Sequence, residues 1–290
     1  MPKTTKTSKA KAKPAANRAV TKSAAQTDEL PFNNDTVYDE SKIKTLSSLE
    51  HIRLRTGMYI GRQGDGSNPD DGIYVLLKEI IDNGIDEFIM GNGRQIDIIV
   101  KDGTAKVRDY GRGIPLGKLV ECVSIINTGG KFNDDVFQFS VGLNGVGTKA
   151  VNALSSHFRV VAVRDGKFAE AVFTRGQLKS ERQGKLSQIK GGENQKNGTY
   201  VEFIPDKEVF LDYEFNPEFI ERRILNYTYL NTGLTVTFNG KSYMSKRGLL
   251  DLLTEECGDT YLYPLGYYKG VHSNRGHLEF SFTHTNNYGE

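Results

Sequence analysis

The sequence predicts an α+β fold, a largely antiparallel sheet with helices inserted between its hairpins and laid over one face. Three observations carry that expectation. The pairs Asp102-Gly103, Asp165-Gly166 and Asn239-Gly240 are two-residue turn signals between apolar runs, the signature of tight β-hairpins. Ile73, Leu77, Ile80, Ile81, Ile85 and Phe88 recur at helical spacing, and Gly91 and Gly93 close that segment. Further helical segments, Thr148 to Leu154 and around Pro217 to Asn226, fall between hairpins, which argues against a parallel dinucleotide-binding fold.

Each element follows in chain order. Between Lys3 and Lys22 the chain carries Lys and Arg and no acid, so the formal charge of +2 hides an acidic folded part. Residues 1–37 hold too few apolar groups to offset the entropy of ordering and are expected to be a disordered basic tail. The tail reads as a solubilising extension, with weak contact to DNA phosphates as the alternative. Residues 38–60 form a polar lead-in and residues 61–72 a loop rich in Gly, Asp, Asn and Pro. The first hairpin pairs Ile96–Lys101 with Thr104–Asp109. The Gly-rich connection 110–141, around the short apolar segment Leu119–Ile126, is long enough to suggest a functional lid. A second hairpin, Phe158–Arg164 with Lys167–Phe173, leads through a polar loop to a strand at Thr199–Ile204.

Residues 38–248 then read as one domain. Residues 249–290, with a Leu-rich helix, a Tyr-rich loop and one alternating strand at Leu278–Thr283, read as part of a second domain continuing past Glu290. No run approaches the roughly 18 apolar residues of a membrane span, and no apolar stretch follows the N-terminal lysines. The expectation is a soluble, cytoplasmic protein with no membrane contact. Cys122 and Cys257 stand far apart and suggest neither a metal site nor a disulfide framework.

On the first helix Glu79, Asp82, Asn83 and Asp86 sit at i, i+3, i+4 and i+7, a stripe expected opposite the apolar face. Such a stripe is ordinarily a solvated surface. What changes its meaning is the order of motifs after it: Asp109-Tyr-Gly111-Arg-Gly113-Ile-Pro115, then Gly142-Leu-Asn-Gly145-Val-Gly147 leading into a helix, then Gly198-Thr199. Glycines at a loop-to-helix junction let backbone N–H groups approach phosphate oxygens. A P-loop is excluded, because Gly240-Lys241-Ser242 has Thr235 where the first glycine must stand.

That ordered set resembles the GHKL (Bergerat) ATPases, and longer strings narrow the resemblance to the B subunits of type IIA DNA topoisomerases, of the topoisomerase IV and gyrase kinds. Lys44 to Gly61 is similar to that family's lead-in segment, Ile81-Asp-Asn-Gly-Ile-Asp-Glu87 to its metal helix, Thr128-Gly-Gly-Lys-Phe132 to its lid and Gly142 to Leu154 to its phosphate loop. The resemblance implies a two-layer α/β sandwich with a mixed sheet, followed by the start of a transducer domain. It implies that Glu79 is the general base for the water attacking the γ-phosphate of ATP and that Asn83 holds Mg²⁺. Asp109 would accept the adenine amino group, with Thr199 beside it, and Asp86, Gly111, Gly113, Ile114 and Pro115 would belong to the same pocket. Gly142, Leu143, Asn144, Gly145, Val146, Gly147 and Thr148 would wrap the phosphates, helped by Lys131. Tyr38 and Ile43 would lie in an arm reaching into a second copy, so that ATP binding makes a homodimer. Partners implied are double-stranded DNA and a DNA-cleaving A-type subunit.

The sequence departs from the family's pattern in places. Val75 stands where relatives often carry His, Asn144 where many have His, Gln138 where many have Lys, and Glu170 where many have an Arg bordering the adenine pocket. The second-domain lysine that contacts the γ-phosphate in the family is expected beyond Glu290. Two other readings remain open on the sequence: a mismatch-repair-type ATPase, and a scaffold that dimerises on ATP without turnover.

Overall fold

The computed structural model of the chain describes residues 39–43, 45–130, 145–188, 195–271 and 276–286. The part up to Thr45 is a unit by itself. Its described residues form a single 3₁₀ turn, Glu40–Lys42, followed by an exposed Ile43. Residues 46–290 form the second unit.

This unit begins with α1 (Ser48–Leu54), held by a capping box in which Ser47 accepts from the Glu50 N–H and Glu50 accepts from the Ser47 N–H. A short α2 (Gly57–Ile60) and the long α3 (Gly72–Ile89) follow. Next come the hairpin β1 (Gln95–Lys101) and β2 (Thr104–Asp109), then the short α4 (Leu119–Ser124) and α5 (Gly147–Ala153). Three consecutive antiparallel strands are β3 (Ser155–Arg164), β4 (Lys167–Thr174) and β5 (Gln177–Lys185). They are followed by β6 (Gly198–Pro205), α6 (Lys207–Phe210), α7 (Pro217–Leu230), the hairpin β7 (Thr235–Phe238) and β8 (Lys241–Tyr243), and α8 (Leu249–Cys257). A separate hairpin, β9 (Gly266–Val271) and β10 (His277–Phe282), closes the described chain.

Eight strands form one sheet in the order β5-β4-β3-β6-β2-β1-β7-β8. Every neighbouring pair is antiparallel except β1 with β7, so the sheet is mixed and largely antiparallel as the sequence predicts. Three expected turns are formed, with φ of 51° and 72° at Asp102-Gly103, 52° and 74° at Asp165-Gly166, and 47° and 88° at Asn239-Gly240. Paired positive φ angles match the right-handed strand twist and favour Asp, Asn and Gly at those positions.

Helices cover one face. Ile73, Leu76, Ile81 and Ile85 of α3, Val151 of α5, Ile52 of α1 and Ile224 of α7 share one core with Ile96, Val107, Phe158 and Phe203 of the sheet. Among the described residues, the opposite face carries a small apolar cluster, Val161, Val163, Phe168 and Leu186, with Tyr200 packed against it.

Two segments differ from the sequence reading. The polar loop expected after the second hairpin contains β5, an almost wholly exposed strand at the sheet edge. Its sequence, Gln-Leu-Lys-Ser-Glu-Arg-Gln-Gly-Lys, lacks apolar alternation because neither face buries it, and charge on an edge strand discourages further pairing. The Tyr-rich loop likewise supplies β9, which pairs with β10. α8 packs on α7 and β10, but none of its residues is buried.

Phe203, fully buried at the centre of β6, tests this core. Phe203→Ala is expected to cost about 3–5 kcal/mol in denaturant unfolding; a loss below about 1 kcal/mol would mean that β6 does not sit at the centre of the packed layer.

Candidate nucleotide site

The antiparallel pairing of β2 with β6 sets Arg108 opposite Tyr200, so the end of β2 meets the start of β6. Asp109 and Thr199, far apart in sequence, thereby become neighbours. The Asp109 Oδ1 accepts from the backbone N–H of Gly111 at 2.9 Å and of Thr199 at 3.1 Å. Around this carboxylate the chain is kept thin. A Cβ on Gly198 would lie 2.2 Å from the Asp109 carbonyl oxygen, and one on Gly84 of α3 would lie 2.9 Å from Ile96 and 3.3 Å from Asp109 Cβ. Glycine at these points lets helix, strand and loop close on one another.

Asp109 is buried on the helix-covered side. Burial pushes its carboxyl up to about 6, against the opposing pull of the two N–H donors and of Arg108. A buried carboxylate in this state is a strong acceptor for a further donor.

α3 supplies the opposite wall. Glu79 lies directly against Gly147, where an added Cβ would fall 1.8 Å from Glu79 Oε2. The Asn83 amide donates to the Glu79 carbonyl at 2.8 Å and to Thr148 Oγ1 at 3.0 Å, which fixes the amide between α3 and the start of α5. Asp86 is fully buried on the same helix. The expected stripe therefore does not stay together as a solvated face. Asp82 is 2% exposed and accepts from Lys78 at 2.5 Å and from the Tyr227 hydroxyl at 2.6 Å, because α7 covers that side of α3.

The loop after Asp109 is anchored to the helix as well. Glu87 takes Arg112 by Nε at 3.1 Å and Nη2 at 3.0 Å, and accepts from the Arg112 N–H at 2.7 Å. Gly111 rests on Glu87, and Gly113, with φ of 75°, rests on the Val163 carbonyl, which leads the chain into Ile114 and Pro115. Gly145 has φ of 60° and begins the described approach to α5 through Val146. Lys149, buried on α5, donates to the Thr128 carbonyl at 2.7 Å and so ties the Gly-rich connection to that helix just before Gly129.

Of the expected site residues, the structure brings Glu79 and Asn83 of α3 against Gly147 and Thr148 of α5, and Asp109 against Gly111 and Thr199, with Gly113 on Gly198; Asp86 is buried on α3, and Ile114, Pro115, Gly145 and Val146 adjoin these groups along the chain. Tyr38, Lys131, Gly142, Leu143 and Asn144 lie outside the described residues. Glu170 is a correction. It sits on the sheet face opposite to Asp109, bound to Arg159 and Arg182, because its position in β4 alternates away from the helices. The arginine beside the loop is Arg164, which donates to the Gly113 carbonyl at 3.3 Å. Arg164, the Glu87–Arg112 pair and Lys149 escape sequence reasoning, since their partners are set by the fold. Among the described residues no group of three or more His, Cys, Asp and Glu is placed to hold a metal, and both cysteines are free.

A buried carboxylate at a strand end, packed through glycine against an acid-and-amide helix, together with the absence of a P-loop motif, points to the class, a nucleotide-binding α/β sandwich without a P-loop. Residues 68–208 match the model of the histidine kinase-, DNA gyrase B-, and HSP90-like ATPases. The chain is 59% identical over 254 residues to the B subunit of DNA topoisomerase 4 from Borreliella burgdorferi, covering 87% of this chain and 40% of that protein. It is 34% identical over 270 residues to the B subunit of DNA gyrase from Thermus thermophilus, covering 87% of this chain and 41% of that one. The solved 43K ATPase domain of Thermus thermophilus gyrase B, in complex with an aminocoumarin, superposes with a TM-score of 0.66 at 30% identity over 84% of this chain and 64% of that chain. The chain belongs to this ATPase family, among the B subunits of bacterial type II DNA topoisomerases. It spans about two fifths of the length of the two curated relatives.

Because the folded state holds the Asp109 proton more tightly than an unfolded chain does, the contribution of Asp109 to stability is greatest below the unfolded value of 3.8 and is lost as pH rises through about 6. The roughly two-unit difference corresponds to a loss on the order of 3 kcal/mol. Unfolding free energies measured from pH 4 to 7 should show that decline in the parent relative to Asp109→Asn; a constant difference between the two would remove the assignment of a perturbed carboxyl.

Proposed function

We propose that the chain is the ATP-operated gate of a type II DNA topoisomerase, binding and hydrolysing ATP and closing as a homodimer when the nucleotide is in place. The observation that carries this reading is the buried Asp109 carboxylate, held by the Gly111 and Thr199 N–H groups and packed on Gly84 of α3, the helix that carries Glu79 and Asn83. A donor such as the adenine amino group satisfies that carboxylate, and Thr199 lies beside it to share the contact. The chain from Gly142 to Thr148 then receives the phosphates on backbone N–H groups, with Lys131 supplying charge from the lid.

Phosphoryl transfer asks a protein mainly for positioning and charge stabilisation, so one base, one metal ligand and a row of amides are sufficient. Glu79 is the base: its carboxylate orients and deprotonates the attacking water. The donor set fits Mg²⁺, which takes few protein oxygens and keeps water and phosphate ligands. Asn83 would hold it through the amide oxygen, with the amide nitrogen anchored on Glu79 and Thr148. When bound, the ion neutralises charge on the phosphates. Asp86, Gly111, Gly113, Ile114 and Pro115 shape the adenine side, and Arg164 props the loop at Gly113.

Beyond the site, Tyr38 and Ile43 belong to an arm that engages the second copy. Residues 249–290 begin the transducer that passes closure on to the DNA-cleaving A-type subunit and to double-stranded DNA. The protein works in the bacterial cytoplasm, at the nucleoid. No described helix is long and apolar enough to cross a membrane.

The test separates chemistry from binding. Glu79→Ala should lower ATP turnover by about 10²–10⁴-fold while affinity for a non-hydrolysable analogue stays within about threefold. An equal loss of both would show that Glu79 shapes the pocket and does not orient water.

A further inference from the structure

The reverse face of the sheet, away from Asp109, carries a pocket of about 530 Å³ that the nucleotide site does not use. Strand alternation creates it. Arg108 of β2, Tyr200 of β6, Val161 of β3, Glu170 of β4 and Arg182 of β5 follow one another across the strands on the same side. Its floor is the small apolar cluster of Val161, Val163 and Phe168.

Its rim is unbalanced in charge. Arg108, Arg159, Arg182 and Lys196 line it, against a single carboxylate, Glu170. Glu170 is shared between two guanidiniums, with Arg159 Nε at 2.5 Å and Arg182 on the other oxygen. Arg108 spends one terminal nitrogen on the Lys196 carbonyl at 2.6 Å, while its Nη1 is buried with no hydrogen-bond partner among the described residues. An unpaired, desolvated guanidinium nitrogen is costly to leave, and its natural complement is an anionic oxygen. Each guanidinium also lies over a ring: Arg108 over Tyr110 at 5.1 Å, Arg159 over Tyr200 at 5.5 Å and Arg182 over Phe168 at 5.6 Å. The cations are thus held against aromatic walls. Other acids on this face are already engaged, Asp97 by the Tyr110 hydroxyl at 2.6 Å and Glu202 by Lys106, His157 and the Tyr200 hydroxyl.

We propose that this reverse-face pocket is a binding site for a small aromatic anion, a flat ring bearing a carboxylate or phosphate, with the ring on the Val161–Val163–Phe168 floor and the charge against Arg108 and Arg182. The volume falls within the range of roughly 300–1,000 Å³ typical of small-molecule sites. An apolar floor with a few convergent charges selects an amphiphilic ligand and disfavours a fully hydrated ion.

The test uses 2-naphthoate as probe, followed by the methyl resonances of Val161 and Val163 during titration, with 2-naphthylmethanol as the neutral counterpart. Saturable shifts at both valines are expected, with the alcohol binding at least tenfold more weakly. Arg108→Gln and, separately, Arg182→Gln should each weaken naphthoate at least fivefold; the Arg182 side chain is 62% exposed, so that variant keeps the fold even if the first does not. Equal affinity for acid and alcohol, an unchanged affinity in Arg182→Gln, or displacement of the probe by a non-hydrolysable ATP analogue would each overturn the assignment.

Discussion

The hydrogen bonds from the Gly111 and Thr199 N–H groups to Asp109 hold the site in place; the first is made within the loop, and the second exists only because β2 and β6 are paired in one register. A carboxylate taken this far from water is unfavourable unless it is hydrogen-bonded, and two backbone donors offset part of that cost. The remaining imbalance, visible in a carboxyl raised to about 6, makes the position receptive to a further donor. Moving β6 by one residue would turn Thr199 to the other face and leave the acid without its second N–H.

The second constraint is thinness. Gly84, Gly111, Gly147 and Gly198 each stand where a side chain would strike a neighbour, and two of those neighbours are Asp109 and Glu79 themselves. The glycines bring α3, α5 and two strand ends into one small volume. Neighbours then fix the surrounding groups: Glu87 holds Arg112, Tyr227 holds Asp82, and Lys149 holds the Gly-rich connection at Thr128. The amide of α3 is oriented within the site itself, by the Glu79 carbonyl and the Thr148 hydroxyl.

Much of this is legible in the sequence. The three Asx-Gly turns, the period of α3 and the order of glycine motifs predict the hairpins, the covering helix and the neighbourhood of Asp109, because local chemistry determines those features. What is not legible depends on long-range pairing. β5 has no apolar alternation, since an edge strand with both faces in water needs none. Asp82 reads as part of a solvated stripe until α7 is laid over it. Position 170 is matched to an Arg that borders the adenine pocket in relatives because a resemblance does not fix the parity of a strand residue, and parity places Glu170 on the far face with Arg159 and Arg182. Arg164 takes the place beside Gly113 for the same reason.

The central claim is that Asp109 is the acceptor around which a nucleotide pocket is built. Calorimetric titration of a non-hydrolysable ATP analogue with Mg²⁺ into the chain and into Asp109→Asn addresses it most directly. The account predicts a dissociation constant on the order of micromolar or tighter for the parent and a loss of about tenfold to a hundredfold in the variant, the range of one hydrogen bond to a charged group. Equal affinity in both chains would contradict it.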